Sequence, residues 1–145
     1  LAMDTFVELY NGGTVRLSDF VNRKQDKDLL LSVIVRKGKR QFRYESIRQT
    51  QTDFPVLACA TVTGIVHGQE TWYFSIGARP MKAALLEKKW EIPRDASEEM
   101  IREYAQEVAA SFTYGTNMRG SAEYRQHLAE VLVRREISSI LAEER

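Results

Sequence analysis

The stretch Asn117-Met118-Arg119-Gly120-Ser121-Ala122-Glu123-Tyr124-Arg125, running on into Leu128-Ala129-Glu130-Val131-Leu132-Val133-Arg134-Arg135, decides how the rest of the chain is read. Gly120 permits a turn, and the Ser121 hydroxyl is placed to accept from an orphaned amide in the first turn of a helix. Tyr124, Leu128, Val131 and Leu132 then fall on one stripe, while Ile137, Ile140 and Leu141 lie on a face rotated from it. The segment predicts a capped amphipathic helix whose two ends meet different neighbours. Tyr124, Leu128 and Leu132 are the side chains expected to bury it against a sheet.

Upstream, Asp95 or Ser97 caps a second predicted helix, in which Ile101, Ala105, Val108 and Phe112 make a stripe with Met100 and Tyr104 beside it. Pro80 suits a first helical turn, and Met81, Leu85, Leu86 and Trp90 follow to one side before Pro93, which predicts another helix. Ahead of these, Val56–Val66 and Glu70–Ile76 flank His67-Gly68-Gln69 and read as an antiparallel pair, with Trp72, Phe74 and Ile76 sharing one face. Gln41 to Pro55 reads as a polar segment with scattered aromatics. At the start, Phe6–Tyr10 and Thr14–Leu17 flank Asn11-Gly12-Gly13, a strong hairpin signal, and after a polar run through Asp28 a strand is predicted over Leu29–Val35. Strands followed by helices in blocks predict an α+β fold: a small antiparallel sheet of three to four strands, covered on one face by three helices.

Length allows one core, and the net charge of +1 comes from Lys and Arg scattered among Asp and Glu, which favours neither nucleic acid nor membrane as a partner. The single cysteine, Cys59, lies in the apolar run Val56–Ala60 and reads as a small buried residue. No apolar stretch approaches the roughly 20 residues that span a bilayer, and the N-terminus lacks the charged-then-apolar order of a signal peptide. A reducing, cytoplasmic setting is expected. Residues 1–37 carry little core of their own, so they are expected to belong to a larger domain, with 38–145 forming a second unit. An apolar surface left on 1–37 predicts self-association.

His67 and His127 lack a second ligand at helical spacing, so a metal site is not expected. Glu98, Glu99, Glu103 and Glu107 read as a solvated face with Arg102 interspersed. Tyr124 and Arg125, at the head of the last helix, have the placement of an anion site. Residue chemistry alone gives no catalytic constellation.

Taken together, the quoted helix resembles the C-terminal helix of the flavin-binding subunit of the molybdenum hydroxylases, the family of xanthine dehydrogenase and the aerobic carbon monoxide dehydrogenases. Thr14–Phe20 and Asp28–Val33 are similar to the closing elements of that family's FAD domain. Phe42-Arg43, with Arg48 and Asp53, is similar to the entry to its C-terminal domain, and Gly77-Ala78-Arg79-Pro80 to a small-residue turn there. The family's Gly-rich loops for the flavin diphosphate have no counterpart in this chain. Phe54-Pro55 stands where Ile-Ala is commoner.

The resemblance implies a remnant hairpin and strand of a FAD domain over 1–37, then a CO dehydrogenase flavoprotein C-terminal-like domain over 38–145. It implies FAD in the complete subunit, with molybdopterin and iron–sulfur clusters on partner subunits and electrons passing through FAD to an acceptor such as NAD. Leu30 is the implied apolar neighbour of the cofactor and Arg43 the implied charge near it. Asp53 is expected to cap backbone amides ahead of Phe54. The competing expectation is an independent α+β interaction or dimerisation module without a redox role.

Overall fold

The computed structural model describes residues 1–24 and 27–143, so the polar run before Asp28 lies partly outside the described residues. The first unit is a three-stranded antiparallel sheet of β1 (Thr5–Leu9), β2 (Gly13–Arg16) and β3 (Leu30–Val35), in the order β2-β1-β3. A short helix, α1 (Leu17–Asn22), lies between β2 and β3. The Asn11-Gly12-Gly13 turn closes as expected, with Gly13 at a φ of 64°. The Asp28 carboxylate fixes it from outside, accepting from the amides of Asn11 at 2.9 Å and Gly12 at 2.7 Å. Val7 and Leu9 are the buried side chains of β1, whereas Leu30, Leu31, Val33, Ile34 and Val35 of the edge strand β3 are all exposed.

The second sheet is a meander of β4 (Gln41–Ile47), β5 (Leu57–Val66), β6 (Gln69–Gly77) and β7 (Ala84–Lys88). His67 and Gly68 both take positive φ, 52° and 82°, which gives the β5–β6 hairpin the twist its strands require. Behind this sheet lie α2 (Glu98–Ala110) and α3 (Ala122–Glu143). Alternation along the strands turns Leu57, Cys59, Trp72, Phe74 and Ile76 onto the helices, all of them fully buried. Trp72 stacks on Phe74 with centroids 6.2 Å apart, and Trp90 bridges Phe74 and Tyr104 at 5.8 and 4.7 Å. The opposite face, through Val66, Tyr73, Leu85 and Glu87, meets residues 1–5 and Arg16 across a cleft of about 320 Å³.

The α+β class and the helix-covered sheet agree with the expectation; three elements differ. The helix expected after Pro80 is instead strand β7, whose Leu86 lies opposite Phe74 and Leu85 opposite Ser75. Its apolar run is too short for periodicity to separate helix from strand, and the free edge of β6 selects the strand. Among the described residues two long helices therefore cover the sheet, and the third helix is α1, in the first unit. The polar segment from Gln41 is strand β4, where Arg43, Glu45 and Ile47 lie opposite Thr61, Cys59 and Leu57. Finally, the buried stripe of α3 is Arg125, Ala129, Leu132, Val133, Glu136, Ile137, Ile140 and Leu141. Tyr124 is 47% exposed and Leu128 only partly buried, so the expected stripe is rotated by about one residue, or roughly 100°.

Candidate functional site

The caps form as the sequence predicts. Ser97 accepts from the Met100 amide at 3.2 Å, and Ser121 accepts from the Tyr124 amide at 3.2 Å. Just before α3, Asn117 and Gly120 exchange two backbone hydrogen bonds at 3.1 Å, folding residues 117–120 into a tight turn. Arg125 reaches back under that turn. Its Nε donates to the Val56 carbonyl at 3.0 Å, Nη1 to the carbonyls of Gly115 at 2.7 Å and Gly120, and Nη2 to Asn117 Oδ1 at 2.5 Å. Arg125 has no exposed surface. The side chain is buried and makes four hydrogen bonds within the protein, so the anion-binding placement suggested by sequence is corrected: this guanidinium ties the loop to Val56, the residue before β5. Gly120 sits where the tie closes, since a Cβ there would lie 3.2 Å from the Tyr124 ring and 3.4 Å from Val56.

Beside this knot, Asp53 accepts from its neighbour's amide, Phe54 N, at 2.7 Å, as expected, and pairs with Arg119 at 3.4 Å. Arg48 donates to the Asp53 carbonyl at 2.6 Å, and the Arg119 guanidinium lies 5.6 Å from the Phe54 ring centroid. These contacts join the β4–β5 loop to the turn that opens α3.

About three turns further along α3 lies a carboxylate that the sequence reading passed over. Glu136 is fully buried and accepts from the Glu45 amide at 3.0 Å, the Thr61 hydroxyl at 2.5 Å and the Cys59 thiol at 3.1 Å. Burial pushes its pKa up to about 7, against the opposing pull of those donors. The Cys59 thiol is pushed well above its ordinary range by burial and then by Glu136, and reads as inert. The signal that would have found Glu136 is positional: it falls on the same helical stripe as Ala129, Leu132 and Val133.

Arg43 lies on the helix side of β4. Its Nε donates to Ser139 Oγ at 2.7 Å, Nη1 donates to the Phe42 carbonyl at 2.7 Å, and Nη2 pairs with Glu143. Its pKa is raised by that hydrogen-bonded partner. Leu30 opens β3 in the other sheet, opposite Leu9, and is 51% exposed. No described contact brings Leu30 and Arg43 together. Among the described residues no group of three or more His, Cys, Asp or Glu side chains is placed to hold a metal. No described helix is long and apolar enough to cross a membrane.

The geometry thus defines a class: a helix-backed antiparallel meander whose buried charges bind its own loops and strands. The sequence profile of the CO dehydrogenase flavoprotein C-terminal domain matches residues 42–140, and the chain belongs to that family. Its fold is shared with solved structures. Quinoline 2-oxidoreductase from Pseudomonas putida 86 superposes with a TM-score of 0.77 at 14% identity, over 98% of this chain and 54% of that one. Reconstituted CO dehydrogenase from Oligotropha carboxidovorans gives 0.72 at 17% identity, over 97% and 54%. Carbon monoxide dehydrogenase from Hydrogenophaga pseudoflava gives 0.68 at 15%, over 94% and 52%. The chain spans about half the length of the chains it matches. No curated protein sequence matches it at a significant level.

Proposed function

We propose that this chain is the C-terminal portion of the FAD-binding subunit of a molybdenum hydroxylase, an oxidoreductase component that works with iron–sulfur and molybdopterin-binding subunits. The observation that carries this reading is the family match over residues 42–140, joined to a structural likeness that runs through the N-terminal unit as well. One of the similar structures is described as lacking the Mo-pyranopterin moiety of its molybdenum cofactor, which supports the choice of complex. The finer reading is a xanthine dehydrogenase-like, cytoplasmic enzyme passing electrons to an acceptor such as NAD.

In this reading residues 1–37 are the last strands of a FAD domain and 38–145 the C-terminal domain. Support comes from β3, which is apolar and exposed on both faces along an edge, a pattern that suits a strand covered by further structure. Flavin, when bound, supplies hydride and single-electron chemistry. This chain fits the cofactor only in part. It has no Gly-rich backbone cradle for a diphosphate, but offers an exposed apolar strand bearing Leu30 and a cation, Arg43, held in place by Ser139 and Glu143. Leu30 would exclude water from the cofactor's side, and Arg43 would act through its field from where α3 holds it.

The test is to express the natural reading frame that contains residues 1–145 and record its flavin spectrum and reduction potential. Bound FAD whose potential falls in Arg43→Gln supports the assignment. A full-length protein with no flavin would remove it and leave the second reading, an interaction or dimerisation module. That second reading rests on the exposed β3 edge, which is also a surface suited to self-association.

A further inference from the structure

Most charges in this chain sit in water or against a counter-ion; Glu136 does neither. Its carboxylate is closed in by α3, β4 and β5, and among the described residues no ion pair engages it. The charged or titratable groups that act on it are Glu45 and Arg43 from β4 and Cys59 from β5. From the other elements around the core, α2 contributes Ile101, Ala105 and Val108 and β6 contributes Trp72, Phe74 and Ile76, none of which titrates.

The three donors around the carboxylate differ in what they can do. The Glu45 amide is fixed in its strand and can only donate. The Thr61 hydroxyl can turn, and at 2.5 Å it can either donate a hydrogen bond to the charged carboxylate of Glu136 or accept one from its protonated form. The Cys59 thiol is a weak donor whose bond strengthens when its acceptor is charged. The carboxyl can therefore be hydrogen-bonded to Thr61 in its charged form and in its neutral form, with a rotation of that hydroxyl accompanying the gain or loss of the proton.

We infer that Glu136 is a proton-operated joint: uptake or release of one proton by its carboxyl, exchanged with water, changes how firmly α3 is held to β4 and β5. The burial-driven upward displacement of its titration places the change near neutrality. Ser139 and Glu143, the two α3 groups that hold Arg43, lie on the following turns, so the joint sits beside the anchor of that cation.

Cys59 provides the readout, because it is the only cysteine in the chain. The thiol S–H stretching band of the 145-residue protein, recorded by infrared spectroscopy from about pH 5 to about pH 8, reports one bond to one carboxyl. We expect the band to move to lower frequency as pH rises, in a single one-proton transition. Glu136→Gln should give a band that does not move. Glu45→Gln, which removes the neighbouring negative charge and leaves the strand amide in place, should shift the midpoint to lower pH, and it serves if Glu136→Gln does not fold. A band that stays still in the wild-type protein, or a midpoint that Glu45→Gln leaves unchanged, overturns the inference.

Discussion

The two ends of α3 bury opposite charges and resolve them by opposite means. At the head, Arg125 is ringed by carbonyl oxygens and one side-chain amide oxygen; further on, Glu136 is ringed by an amide, a hydroxyl and a thiol. Neither faces a counter-ion among the described residues. An arginine cannot shed its proton inside a protein, so its burial is tolerable only if acceptors are built around it. A carboxylate has a second route, which is to neutralise itself. The head of the helix is thus held by a contact indifferent to pH and the later part by one that is not.

The largest effect should come from Arg125→Met, which keeps volume but abandons the carbonyls of Val56, Gly115 and Gly120 in a buried knot. A loss of about 3 to 5 kcal/mol is expected in urea denaturation, at acidic and neutral pH alike. Hydrogen exchange should accelerate first across residues 115–121. A loss confined to one end of the pH range would break the contrast.

Glu136→Gln comes next and carries the pH dependence. The folded-state pKa of about 7 lies above the ordinary carboxyl value of 4.5, so the neutral form favours the fold. That contribution is complete below about pH 4.5, declines as pH rises through about 7, and is gone above it. The stability difference between wild type and Glu136→Gln should therefore change by about 3 kcal/mol in the variant's favour between about pH 4 and about pH 8. Chemical denaturation at the two extremes measures it, and parallel profiles would place Glu136 among ordinary carboxylates.

Ser121→Ala removes the cap beside the head without touching the guanidinium, and about 1 kcal/mol should be lost. A much larger loss would mean that the cap and the Arg125 knot act as one unit. Glu143→Gln should be smallest, leaving the midpoint unchanged, because that carboxylate is 60% exposed and its pair with Arg43 is half in water.

What the sequence made legible was apolar and local. The Asn-Gly hairpin, the shared face of Trp72, Phe74 and Ile76, and the Ser97 and Ser121 caps depend on residues a few positions apart, and each is found where expected. Strand β7 escaped because five residues carry too little periodicity, and β4 because Phe42 and Tyr44 are exposed on its other face. The stripe of α3 was misplaced for a different reason. Counting only apolar residues drew it through Tyr124 and Leu128, whereas the true stripe admits two charges whose partners come from residues 115–120 and from β4 and β5. The pattern was present at positions 125, 129, 132, 133 and 136, but a buried charge reads as a wet one until its distant partners are known.

The Arg125 tie also works as an alignment mark. With Glu136 it fixes α3 against the sheet at two points about 16 Å apart along the axis. Greasy side chains such as Leu132 and Ile137 would accept a helix that slid or rolled by one position, at modest cost. Two charges of unlike chemistry would not, because one step of about 100° would carry both away from the oxygens and donors cut to receive them. The meander and its last helix can therefore be assembled in one phase only, and whatever surface the domain shows to other chains is shown at a fixed angle.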